Sequence, residues 1–356
     1  MKILGIETSC DETAAAVVQD GREILSNVVV SQIDIFAEYG GVIPEVAARS
    51  HLEVILPVID KALADASCSW DDIDAIAVTY APGLLGSLLI GTLAARTLAI
   101  LHNKPLYAVH HLKSHVYANW LNLDSQNSTF SDCPTFPILA MVISGGHTQI
   151  LYMPEHNKFE IIGTTRDDAV GECFDKVAKI LGLPYPGGPS IAKAAASGDS
   201  DRYKFPHPKV EELDFSFSGL KTAVLRAVQK EVGVPISYPS HKLAELLSPQ
   251  QVADFAASFQ KTAVDILIEK LELALEQYPE VRSVVFAGGV SANETLRKTA
   301  SGMVFSSAGL VFFPPNSLSG DNGAMVATAA YYEIQSGVEP TDPYSLNIYP
   351  RVGIDS

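Results

Sequence analysis

The alternation of apolar and polar positions in the first third of the chain predicts a small α/β lobe. Short apolar or β-branched runs, separated by turn residues, predict three antiparallel strands. A helical pattern follows, with Pro44 in its first turn, where proline is tolerated. A strand, a glycine-rich turn, a helix and another strand come next. The predicted elements are strands at 2–7, 13–19 and 23–30, a helix at 44–66, a strand at 74–79, a helix ending near 102 and a strand at 105–109.

A similar order of elements begins again near residue 136. It starts with three strands and a helix that ends at Gly182, and a surface region rich in proline and charge follows. A long amphipathic helix and a strand–helix–strand–helix pattern complete it. The predicted elements are strands at 136–143, 148–153 and 159–163, helices at 169–181 and 249–277, a strand at 281–287, a helix at 291–300, a strand at 310–313 and a helix at 320–332.

The repeated order indicates an internal duplication. In each half, three strands and helices precede a strand, a glycine turn, a helix, a strand and a final helix. This predicts two related α/β lobes with a ligand cleft between them, because ligands bind at the carboxyl ends of such strands. We place the N-terminal lobe at 1–134 and the C-terminal lobe at 135–335, with a helical and basic insertion at about 164–280. A tail at 336–356 follows.

Composition narrows the class of protein. Hydrophobic residues make up 47% and charged residues 19% of the 356 positions, which is typical of a globular protein. The formal net charge of −16 argues against indiscriminate nucleic-acid binding, because a phosphate backbone repels an acidic surface. Four separated cysteines favour neither a zinc ribbon nor a disulfide framework. We therefore expect a cytoplasmic protein that does not enter a membrane, with the apolar stretch 81–101 forming a buried loop and helix.

A histidine pair is the first candidate for chemistry. His111 and His115 are four residues apart on a predicted helix, so their imidazoles share one face. A capping or core role is the ordinary alternative. The duplicated pattern puts Asp321 at the equivalent place in the other half, where it would face the histidines across the cleft. Two imidazoles and one carboxylate suit Fe(II) or Zn(II) with open coordination positions.

Two enzyme classes that use such ligands fit less well. A zinc peptidase of the HExxH type needs a glutamate as general base, and Leu112 occupies that position. An iron oxygenase uses two histidines and a carboxylate, but the twin glycine-turn lobes fit nucleotide chemistry better.

Glycine turns and nearby polar residues form the second group of candidates. The turn Ser144–Gly145–Gly146 joins two strands, and the pairs at 187–188 and 288–289 precede helices, where backbone N–H groups can hold phosphate. Several polar residues near these turns would suit a nucleoside, but each has an ordinary structural alternative. These are a solvated hairpin turn for Asp11 and Glu12, pairing with Lys176 or Lys179 for Asp175, and a helix cap for Asn293.

Nine sequence blocks, taken together and in order, resemble the TsaD family of tRNA adenosine threonylcarbamoyltransferases. The resemblance extends to about residue 335, and only the segment 229–247 is longer and less patterned than the family core. The blocks are IETSCDET, GGVIPEVAARSH, APGLLGSLLIG, HHLKSH, VISGGHTQI, DDAVGECFDKVAKILGLPYPGGP, DFSFSGLKT, AGGVSANETLR and SGDNGAM.

The resemblance implies a fold, a reaction and a site. The fold is the duplicated architecture of actin, heat-shock-70 and sugar kinases. The reaction moves threonylcarbamoyl from threonylcarbamoyl-AMP to N6 of the adenosine beside the anticodon, in tRNAs that read codons beginning with A. One divalent metal, Fe(II) in preference to Zn(II), would be held by His111, His115 and Asp321, and Asp11 and Glu12 match an acidic motif with a catalytic role. The implied substrate contacts are Val142, Ile143, Ser144, Gly145, Gly146, Asp175, Gly188 and Asn293.

The resemblance also implies partners, namely tRNA, a paralogous TsaB-type subunit and a TsaE-type ATPase. Between residues 158 and 230 there are 11 Lys and Arg against 10 Asp and Glu, whereas the remainder of the chain is strongly acidic. We therefore expect the tRNA-facing surface in this region, around Arg202, Lys204, His207 and Lys209. A kinase or ATPase of the same fold, a non-catalytic scaffold subunit and, more remotely, a metalloprotease are the alternatives that the sequence leaves open.

Overall fold

A computed structural model describes residues 1–121, 133–303 and 309–354. In chain order, the strands are β1 Lys2–Glu7, β2 Glu12–Gln19, β3 Glu23–Ser31, β4 Ala75–Ala81, β5 Leu106–His110, β6 Ile138–Ile143, β7 Thr148–Met153, β8 Glu160–Thr164, β9 Ser283–Ala287 and β10 Leu310–Phe312. The α-helices are α1 Ile33–Tyr39, α2 Pro44–Asp65, α3 Leu85–His102, α4 His111–Tyr117, α5 Val170–Ile180, α6 Gly187–Ala195, α7 Ser218–Glu231, α8 Pro249–Gln277, α9 Glu294–Ser301 and α10 Gly323–Gln335.

The described residues form two compact units. Unit 1 consists of Met1–Ile138, Met153–Glu160 and Pro314–Ser356, and unit 2 consists of Leu139–Tyr152 and Ile161–Phe313. Unit 1 is built on a five-stranded sheet in the order β3-β2-β1-β4-β5. β1 pairs antiparallel with β2 and parallel with β4, and β5 continues the parallel part. The inward side chains of these strands pack against α2 and α3 in one apolar core.

Unit 2 contains a second five-stranded sheet, in the order β10-β9-β6-β7-β8. Its core is formed by strand residues together with one face of α5, α7 and the long helix α8. Helix α8 begins with a capping box, in which Ser248 and Gln251 satisfy each other's backbone N–H groups and Pro249 occupies the first turn. These devices explain why a 29-residue helix begins at this position.

The two sheets have the same topology. In each, the third, second and first strands of the unit are neighbours, and the fourth and fifth strands follow on the other side. The predicted duplication and the α/β class are therefore confirmed, because the structure consists of two α/β units with the same sheet topology.

The division of the chain differs from the predicted boundaries. Met153–Glu160, helix α10 and the residues after it belong to unit 1, whereas the sequence placed 153–160 and α10 in the C-terminal lobe. The position of α10 is the difference that matters for the site. The reason is close backbone packing of the N-terminus of α10 against β1 and β2. A Cβ on Gly5 would lie 2.2 Å from the carbonyl oxygen of Gly323, and a Cβ on Gly323 would lie 2.5 Å from the nitrogen of Ala16.

Helix α3 is apolar on more than its buried side. Among the described residues, α3 is the one helix that is long and apolar enough to cross a membrane, judged by length and composition alone. Of that stretch, 33% is buried in the protein. The sequence predicted a buried loop and helix. The structure corrects this, because Leu85, Leu89 and Leu93 are 58%, 44% and 46% exposed.

Candidate functional site

Helix α4 carries the histidine pair at the carboxyl end of β5. His110 caps the helix, because its Nδ1 accepts a hydrogen bond from the backbone N–H of Leu112 at 3.2 Å. His111 and His115 follow one turn apart, and their ring centroids are 4.6 Å from each other. Both side chains are buried, with His111 8% and His115 1% exposed. The predicted helix and the shared face are thus present.

Asp321 lies beside both imidazoles. Its Oδ1 is 3.0 Å from Nε2 of His115 and 3.6 Å from Nε2 of His111. One ligand atom from each of the three side chains lies within 4.8 Å of the others. The glycine packing of α10 sets this position, since Asp321 comes two residues before the helix. Asp321 belongs to the same unit as the histidines, so the prediction that it faces them from the other lobe is wrong.

A buried carboxylate orients His111. Glu7, at the end of β1, is fully buried, and its Oε2 lies 3.1 Å from Nδ1 of His111. The same oxygen accepts a hydrogen bond from the hydroxyl of Thr79 at 2.6 Å, while Oε1 accepts one from the backbone N–H of Ser9 at 2.5 Å. Burial opposes ionisation of Glu7, but His111 and the Thr79 hydroxyl hold its pKa below the ordinary value.

This arrangement fits a divalent metal. With its Nδ1 hydrogen directed at Glu7, His111 would use Nε2, the nitrogen that faces Asp321, to bind a metal in place of a proton, which is how carboxylates orient metal-binding histidines. Burial lowers the pKa of His111, but Asp321 and Glu7 together raise it to about 9. Two carboxylates therefore attract positive charge to this position. The donor set of two imidazoles and one carboxylate is one that Fe(II) and Zn(II) accept.

The acidic turn between β1 and β2 is not solvated. Asp11 is 9% exposed, and Glu12 is partly buried, with its Oε1 accepting a hydrogen bond from Ser31 at 3.0 Å. Burial, followed by the charges of Asp321 and Asp11, raises the pKa of Glu12 to about 10. The alternative of a hairpin turn with solvated acids is therefore wrong.

His51 on α2 forms hydrogen bonds to residues on both sides of the acidic pair. It is fully buried, and its Nε2 donates to the carbonyl of Cys10 at 2.9 Å while Nδ1 accepts from the hydroxyl of Thr13 at 2.8 Å. Cys10 offers only a carbonyl, so the hydrogen must be on Nε2. Burial lowers the pKa of His51, which agrees with a neutral ring.

In unit 2, the turn after β6 is held open by its own hydrogen bonds. Oγ of Ser144 accepts from the backbone N–H groups of Gly146 at 3.3 Å and of His147 at 3.1 Å. A Cβ on Gly145 or Gly146 would meet no atom within 4 Å, so the backbone faces open space. Val142 and Ile143 are fully buried strand residues and can contact a substrate only through their backbone.

The other glycine turns of unit 2 are placed by close packing. Gly288 has φ +87°, and a Cβ there would lie 2.5 Å from the carbonyl oxygen of Ile143, which brings the end of β9 beside the end of β6. Asp175 on α5 accepts a hydrogen bond from the backbone N–H of Gly187 at 2.7 Å and so holds the start of α6. Gly188 has open space beside it. Lys176, one of the two lysines considered as the partner of Asp175, pairs with Asp168 and Glu172.

Asn293 is the helix cap that the ordinary alternative predicted. Its Oδ1 accepts from the backbone N–H of Leu296 at 3.1 Å, and its Nδ2 donates to Oε1 of Gln260 at 2.9 Å. Gln260 donates in turn to the hydroxyl of Thr295 at 2.9 Å. The amide of Asn293 is therefore held in one orientation.

Three supporting residues were not predicted from the sequence, namely Glu7, His51 and Gln260. One available signal was the carboxylate of Glu7 at the end of an otherwise apolar strand. A second was His51 within the apolar face of a helix. Gln260 carries no comparable signal, because a glutamine on a long amphipathic helix is usually exposed.

Known proteins are similar to this chain over nearly its whole length. The model of the TsaD family, described as tRNA N6-adenosine threonylcarbamoyltransferase, matches residues 23–328. The tRNA N6-adenosine threonylcarbamoyltransferase of Symbiobacterium thermophilum is 47% identical over 353 residues, which cover 99% of this chain and 96% of the relative. That of Caldicellulosiruptor saccharolyticus is 44% identical over 357 residues, covering 100% of this chain and 99% of the relative.

A solved structure is similar in fold alone. HypF from T. kodakarensis superimposes with a TM-score of 0.58 and 16% sequence identity, over 94% of this chain and 48% of that protein. The family match and the close relatives decide between the reactions that the sequence left open, and they favour a transferase over a kinase, a scaffold or a peptidase. The chain belongs to the TsaD family of tRNA N6-adenosine threonylcarbamoyltransferases, and it is accordingly a transferase that acts on tRNA.

Proposed function

We propose that the protein transfers the threonylcarbamoyl group of threonylcarbamoyl-AMP to N6 of the adenosine beside the anticodon, in tRNAs that read codons beginning with A. The new bond joins N6 to the carbamoyl carbon, the bond from that carbon to the phosphate oxygen breaks, N6 loses a proton and AMP leaves. The observation that carries the proposal is the group formed by the buried His111 and His115 with the partly buried Asp321, supported by Glu7, in a chain of this family.

We assign Fe(II) as the metal, with Zn(II) as the second choice. His111, His115 and Asp321 would hold the ion, and two imidazoles with one carboxylate leave positions open for a substrate, as in non-haem Fe(II) sites. When bound, the metal supplies positive charge that stabilises the developing negative charge on the donor. Glu7 fixes the ring of His111, so the ligand is preorganised before the metal binds.

Adenosine N6 is a weak nucleophile, so positioning must account for much of the rate. In unit 2, the open backbone of Gly145 and Gly146 and the start of α6 at Gly188 suit the nucleoside and phosphate end of the donor. Asp175 and Asn293 would hold that end by carboxylate and amide contacts.

The acidic turn has a distinct role. Asp11 or Glu12 would accept the N6 proton or orient the substrate, since both acids lie in one turn and Glu12 is close enough to Asp321 to be affected by its charge. Full activity in a protein carrying both Asp11→Ala and Glu12→Ala would remove these acids from the mechanism.

The tRNA surface is proposed for the region 158–230. Within it, Lys204 pairs with Asp201 at 2.6 Å, so its charge is already balanced. Lys193, Arg202 and Lys209 are exposed and make no ion pair within 4.0 Å among the described residues. These three are the better candidates for phosphate contacts. Replacing Arg202 and Lys209 with alanine should raise the KM for tRNA and flatten its salt dependence, while Lys204→Ala should change neither by more than about twofold. Equal effects of the two changes would remove this placement.

A TsaB-type subunit is proposed to bind the exposed apolar face of α2 and α3. The leucines of this face recur every four residues on each helix, so they form two adjacent stripes. They are Leu52 and Leu56 on α2, which are 65% and 56% exposed, and Leu85, Leu89 and Leu93 on α3. A TsaE-type ATPase completes the proposed set of partners. We place the protein in the cytoplasm, where its tRNA substrate is found.

Detection of the modified nucleoside tests the proposed reaction. Purified protein, loaded with Fe(II) and supplied with its partners, threonylcarbamoyl-AMP and an unmodified tRNA transcript, should form threonylcarbamoyladenosine. Nuclease digestion and mass spectrometry of the nucleosides would detect it. A tRNA that stays unmodified, together with phosphorylation of a small molecule from ATP, would favour a kinase of the same fold instead.

A further inference from the structure

The residues after α10 run along unit 1 toward the start of α4. The backbone N–H of Thr341 donates to the carbonyl of Leu106 at 2.7 Å, and that of Tyr349 donates to the carbonyl of Tyr80 at 3.1 Å. Further along, the carbonyl of Pro350 accepts from the N–H of Gly83 at 3.2 Å. Ile354 is then 2% exposed. This segment, residues 338–354, is the C-terminal strap, and it is attached to β4, β5 and the loop after β4.

Near its end, the strap contacts His110, the N-cap residue of helix α4. The carbonyl of Val352 lies 3.3 Å from Nε2 of His110, whose side chain is 2% exposed. A carbonyl can only accept, so this contact requires the hydrogen of the ring on Nε2. The lone pair of a neutral ring is then on Nδ1, which is the atom that accepts from the N–H of Leu112. The strap therefore selects the tautomer that can cap α4.

The cap matters because α4 is short. It contains seven residues, and a helix of this length is only marginally stable by itself, so its packing and its cap determine where it begins. His111 is its first residue and His115 is one turn further on, so a change in where the helix begins moves both imidazoles. A capping bond is worth about 1 kcal/mol to a helix terminus, which corresponds to a several-fold change in an equilibrium constant.

We propose that His110 is a positioning residue and that the C-terminal strap, through Val352, holds it in the state that sets the geometry of the metal ligands. The inference rests on the metal centre of the proposed function. It assigns a role in the site to the C-terminal strap, which lies beyond the family blocks. Neither His110 nor the strap contacts the substrate in this account.

The test measures metal affinity rather than activity. Zn(II) would be the probe, in competition with a chromogenic chelator, on the full chain and on a chain that ends after Pro350. His110→Ala should weaken binding several-fold because it removes the cap, and the truncation should do the same because it removes the bond that selects the capping tautomer. The two changes together should weaken binding no further, since both act through His110.

A conservative variant distinguishes positioning from loss of fold. Asparagine is a good cap without help from the strap, so His110→Asn should bind Zn(II) within about twofold of the wild type, with or without residues after Pro350. Thr341→Val removes a bond between the strap and β5 at a distance from His110 and should leave the affinity unchanged. Thermal unfolding of each variant would establish that it is folded.

The outcomes separate the inference from the proposed function. Equal affinity in all folded variants, or effects of the truncation and His110→Ala that multiply, would overturn the inference while leaving the metal centre in place. Loss of binding in His110→Asn equal to that in His110→Ala would overturn it as well. A wild-type protein that binds no Zn(II) or Fe(II) would overturn both.

Discussion

At the scale of single residues, a buried charge in unit 1 is stabilised by its hydrogen-bond partners. Glu7 is completely buried, yet it is paired with His111 and bonded to Thr79 and Ser9. Each bond replaces water that the carboxylate lost, so the charge is tolerated and the imidazole is fixed. A buried acid with fewer partners should behave differently, and Glu333 on α10 provides that comparison.

Glu333 should make stability depend on pH. It is 7% exposed, and burial raises its pKa to about 7, with Lys113 opposing the rise. The folded state therefore disfavours the ionised form, and the free energy of unfolding should decrease as the pH rises from the ordinary carboxyl pKa through 7. Glu333→Gln should stabilise the protein by up to roughly 3 kcal/mol at pH 8.5 and by little at pH 5.

Urea unfolding of both proteins at the two pH values would measure this difference. Glu339→Gln, at an exposed position shortly after the same helix, is the control and should have little effect at either pH. A gain in stability from Glu333→Gln that is the same at pH 5 and pH 8.5 would contradict the assignment.

At the scale of elements, the packing of α10 against β1 and β2 determines where Asp321 lies. The N-terminus of the helix approaches β1 and β2 so closely that neither Gly5 nor Gly323 has room for a side chain. Asn322 then caps the helix by accepting from the N–H of Met325 at 3.0 Å. Backbone packing therefore brings the third ligand beside the histidines, where it contacts His115.

Gly323→Ala should displace this ligand. Its Cβ would lie 2.5 Å from the backbone nitrogen of Ala16, so α10 must move. We expect a loss of Zn(II) affinity of at least about tenfold and a destabilisation of about 1–3 kcal/mol. Gly320→Ala, on the other side of Asp321, meets no atom within 4 Å and should retain affinity within about twofold. Competition with a chelator would measure the Zn(II) affinity, and urea unfolding would measure the stability. Equal affinities in the two variants would contradict the packing argument.

The elements also show which structure the sequence can predict. The strands of both sheets and the helices α2 and α8 were predicted closely, because their apolar periodicity is strong and turn residues or caps mark their ends. Helices α1 and α7 were not predicted. In α1 a single residue, Phe36, is buried, so no stripe is visible. In α7 the buried positions are few and lie within a charged segment, which has the appearance of surface.

At the scale of the whole molecule, the sequence predicted the repeat but not how the chain is divided. Periodicity reveals the type of each element, whereas the unit against which α10 packs depends on glycine contacts between residues more than 300 positions apart. The ligand set was predicted from spacing and from the family resemblance. The supporting atoms of Glu7, His51 and Gln260 depend on three-dimensional contacts that one sequence does not contain.

The apolar face of α2 and α3 should be required for assembly. Leu52→Glu together with Leu56→Glu would place charge on exposed positions, so the fold should persist while association with a TsaB-type subunit is lost by about 100-fold or more. Leu246→Glu, which changes a 45% exposed leucine of unit 2, is the control. Isothermal titration calorimetry with the subunit from the same organism would measure both. Undiminished association of the double variant would exclude this face as the binding surface.

Single-turnover formation of threonylcarbamoyladenosine by the Fe(II)-loaded protein with its partners is the most direct test of the proposed function. His241 is an exposed histidine outside the proposed tRNA surface, so His241→Ala is the control for loss of an imidazole. Wild type and His241→Ala should form the product at similar rates. His111→Ala should lose the bound metal and at least about 100-fold in rate. Product formed at the wild-type rate by metal-free His111→Ala would contradict the central claim that this group of residues supports the transfer.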